Sequence, residues 1–347
     1  MDISLFYFAD DASGSDRGRY DLLLDGARFA DEAGLTAVWT PERHFHQFGG
    51  LYSNSAVTGA AVASVTKRIG VRAGSVVLPL HDPIRVAEEW SMVDNLSNGR
   101  AAVAFASGWH ATDFLLHPDP TTAYPDRRAL LAEHIQVVRG LWAGNSITRI
   151  DGSGEKATVR IYPTPVQPEL PFWITSSGNP DTFRAAGALG GNLLTHMLGQ
   201  RPAVLERNIG VYREALRAAH GPDARGHVTL MLHTYLGTSD EEVLEEIREP
   251  FSRYLASSLD LTTRSGPTTE GIDEVSEDDV KVLVRRAFDR YSKESGLFGS
   301  LSTAHRTVRA LKEAGVDEIA CLVDFGVDRK SVLKGMDHLG ELVADLR

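Results

Sequence analysis

Glu42, Arg43 and His44 follow directly on the short apolar run Ala37-Val38-Trp39. An acid, a permanent cation and an imidazole at one strand end can hold an anion and exchange a proton near neutral pH. A salt-bridged loop with a structural histidine is the plainer reading of the same residues. Ser107, Gly108 and Trp109 follow the apolar run that begins at Ala101, and they offer a hydroxyl, close backbone approach and a flat apolar ring. A tight turn with a packed tryptophan would look the same. Ser176-Ser177-Gly178-Asn179-Pro180 follows the run from Phe172 and has more physical content. Asn179 is a helix N-cap and Pro180 a first helical residue, so the unpaired N–H groups of that helix start face Ser176, Ser177 and Gly178. Small residues placed there cradle a phosphate without a cation; solvated serines beside an ordinary cap are the alternative. His44, His81, His110, His196 and His233, five of the twelve histidines, fall at or just past strand ends, which points to a common pocket.

The elements that position these groups are legible in the hydrophobic pattern. Eight apolar, β-branched runs of strand length start near Ile3, Ala37, Val71, Ala101, Phe172, Asn192, Val228 and Glu318. Amphipathic stretches separate most of them, such as Asp21 to Ala33 closed by Gly34, or the helix opened by the capping box Ser239-Asp-Glu-Glu242. Eight strands alternating with helices predict a (β/α)8 TIM barrel, an α/β fold whose active site lies at the carboxyl ends of the strands. Residues 1–347 read as one domain with insertions at about 151–169 and 257–300. The first, with alternating Thr158-Val-Arg-Ile161 and three prolines, reads as an extended or hairpin excursion. In the second, Leu261 to Glu274 is poor in apolar groups and reads as mobile, a lid or a surface excursion, and Ser276 caps a helix running to about Glu294.

A net charge of −11 argues against a nucleic-acid or acidic-membrane surface, and no apolar run approaches the roughly 18 residues of a membrane span. The amino terminus has no secretory pattern, which favours a cytoplasmic protein. The single cysteine, Cys321, lies within the last apolar run and reads as a small buried hydrophobe. Neither a Gly-x-Gly-x-x-Gly after a strand, a Walker loop nor a Gly-x-Ser-x-Gly elbow is present.

Ordered blocks between Phe29 and Phe114 resemble the bacterial luciferase family of flavin-dependent monooxygenases. They are Phe29-Ala-Asp-Glu-Ala-Gly34, Val38-Trp39, Glu42-Arg-His-Phe45, Val76-Val-Leu-Pro79, Pro83-Ile-Arg-Val-Ala-Glu88, Asp94-Asn-Leu-Ser-Asn-Gly-Arg100 and Asp113-Phe114. Pro171-Phe-Trp-Ile-Thr-Ser-Ser-Gly178 and Leu194-Thr-His-Met197 resemble the branch of that family found with natural-product assembly lines. The resemblance implies reduced FMN used with O2, a separate flavin reductase, and insertion of one oxygen atom into a small-molecule or carrier-bound intermediate. By position it implies a phosphate loop at Ser176, Ser177 and Gly178 with Thr195 beside it, and a cofactor loop at Ser107, Gly108 and Trp109. It implies a cis peptide under the flavin ring at Gly74-Ser75. Given that chemistry, His44 or His196 is expected to manage protons and Arg43 to steady an anionic adduct or substrate. Arg43 stands where luciferases have the first of two histidines, and Ala106 where they have a reactive thiol, which puts light emission in doubt. The family also implies a homodimer, for which Ala56, Gly59, Ala60 and Ala63 on one side of a helix supply a close-packing face; packing of that face on the chain's own barrel is the alternative.

Three other readings compete. Relatives of this fold include deazaflavin-dependent oxidoreductases. His44-Phe45-His46 with His196, His233 and Asp324 contains ligands for a metal-dependent hydrolase on the same barrel. A flavin-binding subunit without activity is the third.

Overall fold

A computed structural model describes residues 1–11, 18–198, 200–264 and 277–347. Strands β1 (Asp2–Phe6), β2 (Ala37–Thr40), β3 (Gly70–Val77) and β4 (Ala101–Ala106) come first, followed by a hairpin of β5 (Ile147–Ile150) and β6 (Lys156–Val159). Then come β7 (Phe172–Ser176), β8 (Asn192–His196), β9 (Val228–Leu236), β10 (Leu297–Gly299) and β11 (Glu318–Leu322). The parallel order β9-β11-β1-β2-β3-β4-β7-β8 closes on itself where Leu193 to His196 of β8 pair with Val228 to Met231 of β9. The result is the expected eight-stranded (β/α)8 barrel, and each of the eight predicted runs is one of its strands.

Helices α1 (Asp21–Ala33), α2 (Ser55–Val65), α3 (Pro83–Ser97), α4 (Pro120–Trp142) and α5 (Pro180–Ala188) connect the first strands. The remaining ones are α6 (Pro202–His220), α7 (Asp240–Arg264), α8 (Glu277–Arg290), α9 (Leu301–Glu313) and α10 (Arg329–Asp345). Their starts follow local chemistry. The Asn54 carboxamide accepts from the Ala56 and Val57 amides, Asn179 from Asp181, and Ser239 from Glu242. Gly34 ends α1 in the left-handed region at φ 75°, a conformation that costs glycine nothing.

Three expectations need correction. The insertion before β7 is a hairpin, but its first strand lies at 147–150, ahead of the predicted start, because Asp151 makes the turn by accepting from the Ser153 and Glu155 amides. The insertion after β9 begins later than 257, since α7 continues to Arg264, and it contains β10, a three-residue strand too short for any periodicity to reveal. The small-residue face of α2 is used by the chain itself: Ala56 and Ala63 are buried, and a side chain at Gly59 would meet Val71 and Trp90. Residues 265–274 of the predicted lid and its Ser276 cap lie outside the described residues. Cys321 is fully buried, as expected, and burial pushes its thiol up to about 12.

The lower end of the barrel is closed by a polar plug. Glu318, fully buried, accepts from Arg72 at 2.8 Å, His227 at 3.0 Å and Trp39 Nε1 at 3.1 Å. The Arg72 guanidinium lies over both Trp39 and Trp173, at 4.9 and 4.8 Å from their centroids. Polar groups so paired belong to stability, and chemistry falls to the opposite mouth.

Candidate active site

Because all eight barrel strands are parallel, their carboxyl ends share one mouth. Glu42 to His44 leave β2 there, Ser107 to Trp109 leave β4, Ser176 to Gly178 leave β7, and Thr195 and His196 end β8. Gly74 and Ser75 lie in the upper half of β3, and the peptide bond between them is cis, at the position the resemblance implied. Ser75 Oγ meets Thr175 Oγ1 at 2.5 Å. A side chain at Gly74 would strike the Phe6 ring, and one at Gly108, which has φ 78°, would strike Val77 and Phe114.

Glu42 is the centre of the first cluster. One carboxylate oxygen accepts from His44 Nε2 at 2.8 Å and His81 Nε2 at 2.5 Å, and the other from the Val77 amide at 2.7 Å. Burial alone would raise this acid, but the bonds from His44, His81 and Val77 outweigh it and hold the carboxyl below its ordinary value. Reciprocally, Glu42 raises His81 against the pull of burial.

Arg43 turns the other way, into a second cluster. It is 5 % exposed, donates through NH1 to Asp113 Oδ2 at 2.7 Å, and lies over the Trp109 ring at 5.6 Å. Its Nε and NH2 are buried with no partner. Burial raises Asp113, and the charges of Arg43 and His110 only partly offset that. Burial and the Arg43 charge depress His110, whose Nδ1 stands 3.4 Å from Asp113 Oδ1. Spare buried donors on a fixed cation suit an anion. Arg127 and Tyr124 of α4 fix the neighbouring loop by donating to the carbonyls of Gly108 and Trp109.

The loop after β7 also carries a buried polar group with no partner. Ser176 is 2 % exposed and its Oγ has no partner. The Ser176 carbonyl accepts from Thr195 Oγ1 at 2.8 Å, and the Gly178 carbonyl from Asn208 Nδ2 at 3.1 Å. Gln200 donates to Thr195 Oγ1 and to the His196 carbonyl. Ser176, Ser177 and Gly178 thus lie directly ahead of Asn179 and the amino end of α5, with two of the loop's carbonyls tied back to Thr195 and Asn208.

His196 accepts the Leu198 amide on Nδ1 at 3.1 Å, so the neutral ring carries its proton on Nε2, and burial pushes the imidazole down to about 4. His233 is enclosed by Phe251, Tyr254, Tyr291 and Phe325 and is pushed down to about 3. Asp324, two residues past the end of β11, accepts from the Phe8 amide at 2.7 Å and the Tyr52 hydroxyl at 2.9 Å, and burial pushes it up to about 7. Among the described residues, the donor groups close enough to share an ion are Glu42, His44 and His81, and Asp2, His227 and Glu318. The metal set suggested by the sequence, His44 and His46 with His196, His233 and Asp324, is not brought together in either. Sequence reasoning gave no role to Gln200 or Asn208, quoted Asp113 only within the block Asp113-Phe114, and did not foresee the bridge from Glu42 to His81; Asp113, Asn208 and His81 meet their partners 70, 30 and 39 positions away, whereas Gln200 folds back on Thr195 and His196 within five residues.

The luciferase-like monooxygenase profile matches residues 1–318. The oxygenase component of a flavin-dependent trigonelline monooxygenase from Acinetobacter baylyi is 28% identical over 249 residues, 70% of this chain and 67% of that protein. A 4-hydroxyprotoasukamycin monooxygenase from Streptomyces nodosus is 25% identical over 330 residues, 92% of this chain and 85% of the other. The oxygenating constituent of 3,6-diketocamphane monooxygenase from Pseudomonas putida, solved with FMN, superposes with TM-score 0.78 at 20% identity over 99% of this chain and 98% of its own. An F420-dependent secondary alcohol dehydrogenase superposes with TM-score 0.71 at 19% identity over the full length of both. The chain belongs to the luciferase-like monooxygenase family.

Proposed function

We propose that this chain is the oxygenase of a two-component system. It takes reduced FMN from a separate flavin reductase and, with O2, inserts one oxygen atom into a natural-product biosynthetic intermediate, free or held on a carrier protein. The loop after β7 carries the reading. Its buried, unpartnered Ser176 hydroxyl and its anchored carbonyls favour a phosphate monoester such as that of FMN. Ser176, Ser177 and Gly178 would hold that phosphate with Thr195 behind them, and Gly74, Ser75, Ser107, Gly108 and Trp109 would hold the ring system. Reduced FMN supplies the electrons that activate O2. The side chains do the rest: Arg43 offers its free Nε and NH2 to developing negative charge, and His44 exchanges a proton through the ring nitrogen not bound to Glu42. His196, neutral, donates through Nε2. The relatives named as monooxygenases, one of them an oxygenase component, support the assignment.

The F420-dependent structural neighbour favours a second reading, a deazaflavin-dependent oxidoreductase. Fluorescence titration of the flavin-free protein with FMN, riboflavin and F420 separates the two. FMN is expected to bind most tightly, equal affinity for FMN and riboflavin removes the phosphate argument, and preference for F420 selects the second reading.

The working form we propose is a cytoplasmic homodimer. With the small-residue face of α2 turned inward, the surface offered to a second copy is the exposed Val57 of α2 with Met92 and Leu96 of the adjacent α3. Light scattering at micromolar concentration is expected to give twice the chain mass; a monomer rejects the proposal.

A further inference from the structure

The loop that we read as a phosphate site is tied to its surroundings by side chains from β8 and α6. Gly178 has φ 110°, and because glycine lacks a Cβ its ψ is little restricted, so sterics alone would admit either orientation of the peptide between Gly178 and Asn179. One orientation presents the Asn179 N–H, the other the Gly178 carbonyl, because the two point in opposite directions across a trans peptide. A carbonyl facing a phosphate is repulsive, so the orientation decides whether an anion binds. Asn208, fully buried on α6, removes the ambiguity by donating from Nδ2 to the Gly178 carbonyl at 3.1 Å. The same amide lies 3.4 Å from Gln200 Oε1, and Gln200 in turn donates to Thr195 Oγ1 and the His196 carbonyl. Thr195 anchors the Ser176 carbonyl in the same way at 2.8 Å, which orients the Ser177 N–H outward. Both turned carbonyls of the loop are thus tied back to β8 and α6.

We propose that Asn208, backed by Gln200, is the positioning residue that makes this loop an anion site and so sets the preference for a phosphorylated flavin over an unphosphorylated one. The inference rests on the phosphate reading of Ser176 to Gly178 given above. Asn208 touches no ligand; it acts by denying the loop the conformation in which the Gly178 carbonyl faces inward.

The test compares affinities of the flavin-free protein for FMN and riboflavin by fluorescence quenching, in the wild type and in Asn208→Leu and Asn208→Asp. Both variants lose the donor, and the second keeps the side-chain shape. The expected result is FMN affinity weakened about tenfold or more, riboflavin affinity unchanged, and near-ultraviolet circular dichroism like the wild type. In the wild type, the amide protons of Ser177 and Asn179 are expected to move on adding FMN and to stay in place with riboflavin, a measurement that needs no variant to fold. If the wild type binds both flavins equally, the phosphate reading fails and this inference with it. If the wild type prefers FMN and a folded Asn208 variant keeps that preference, or if the two amides do not respond to FMN, the phosphate reading stands and the role of Asn208 is overturned.

Discussion

Arg43 and Asp113 form a buried ion pair, NH1 to Oδ2 at 2.7 Å, in which each partner keeps polar atoms unbonded: Nε and NH2 on the arginine, Oδ1 on the aspartate. The two are not equivalent. A guanidinium cannot shed its proton inside a protein, whereas a buried carboxyl can take one up, and burial already raises Asp113. Asp113→Ala is therefore expected to cost about 3–5 kcal/mol, since it strands a charge that cannot be neutralised. Arg43→Met is expected to cost clearly less. Urea unfolding at pH 7 checks the order; equal losses would mean that Arg43 finds another partner.

Asp324 gives stability an unusual sign with pH. Its carboxyl is pushed up to about 7 by burial, against the bonds from Phe8 and Tyr52, while an unfolded aspartate titrates near 3.8. Between those values the native state holds a proton that the unfolded chain has released, so this group's contribution falls as pH rises from about 4 to 7. The displacement corresponds to on the order of 4 kcal/mol. Asp324→Asn removes it. The melting temperature of the variant relative to wild type is expected to be higher at pH 8 than at pH 5, and a pH-independent difference would contradict the assignment.

Glu318 behaves in the ordinary direction. Burial would raise it, but the charge of Arg72 and the bonds from His227 and Ser4 hold it at about 2. Its contribution is present above the ordinary carboxylate value of 4.5 and is lost as pH falls through about 2. Glu318→Gln leaves Arg72 between two tryptophans without a counter-charge, and about 3–5 kcal/mol of stability is expected to go at pH 7. That gap should narrow as the pH is lowered toward 2, as followed by tryptophan fluorescence in denaturant.

His196 is expected to remain neutral at every pH at which the protein works. Its imidazole sits at about 4, below the ordinary histidine value of 6.5. Nitrogen-15 shifts of the ring should show Nδ1 unprotonated and Nε2 protonated from pH 5 to 8. Titration within that range would make His196 a candidate base instead of a neutral donor.

The barrel was legible because its determinants are local. Each apolar run announces a strand from its own side chains, and Asn179 with Pro180, or Ser239 with Glu242, announces a helix start within a few residues. The positions of His44, Ser107, Ser176 and His196 at strand ends followed from that periodicity alone. What those residues touch did not. Glu42 meets His81 across 39 positions, Arg43 meets Asp113 across 70, and Asn208 meets Gly178 across 30. Sheet closure brings such partners together, and no window along the chain contains both members. The face of α2 makes the same point: its small residues signal close packing, but only the folded barrel, with Val71 and Trp90 waiting beside Gly59, decides that the neighbour is the chain itself.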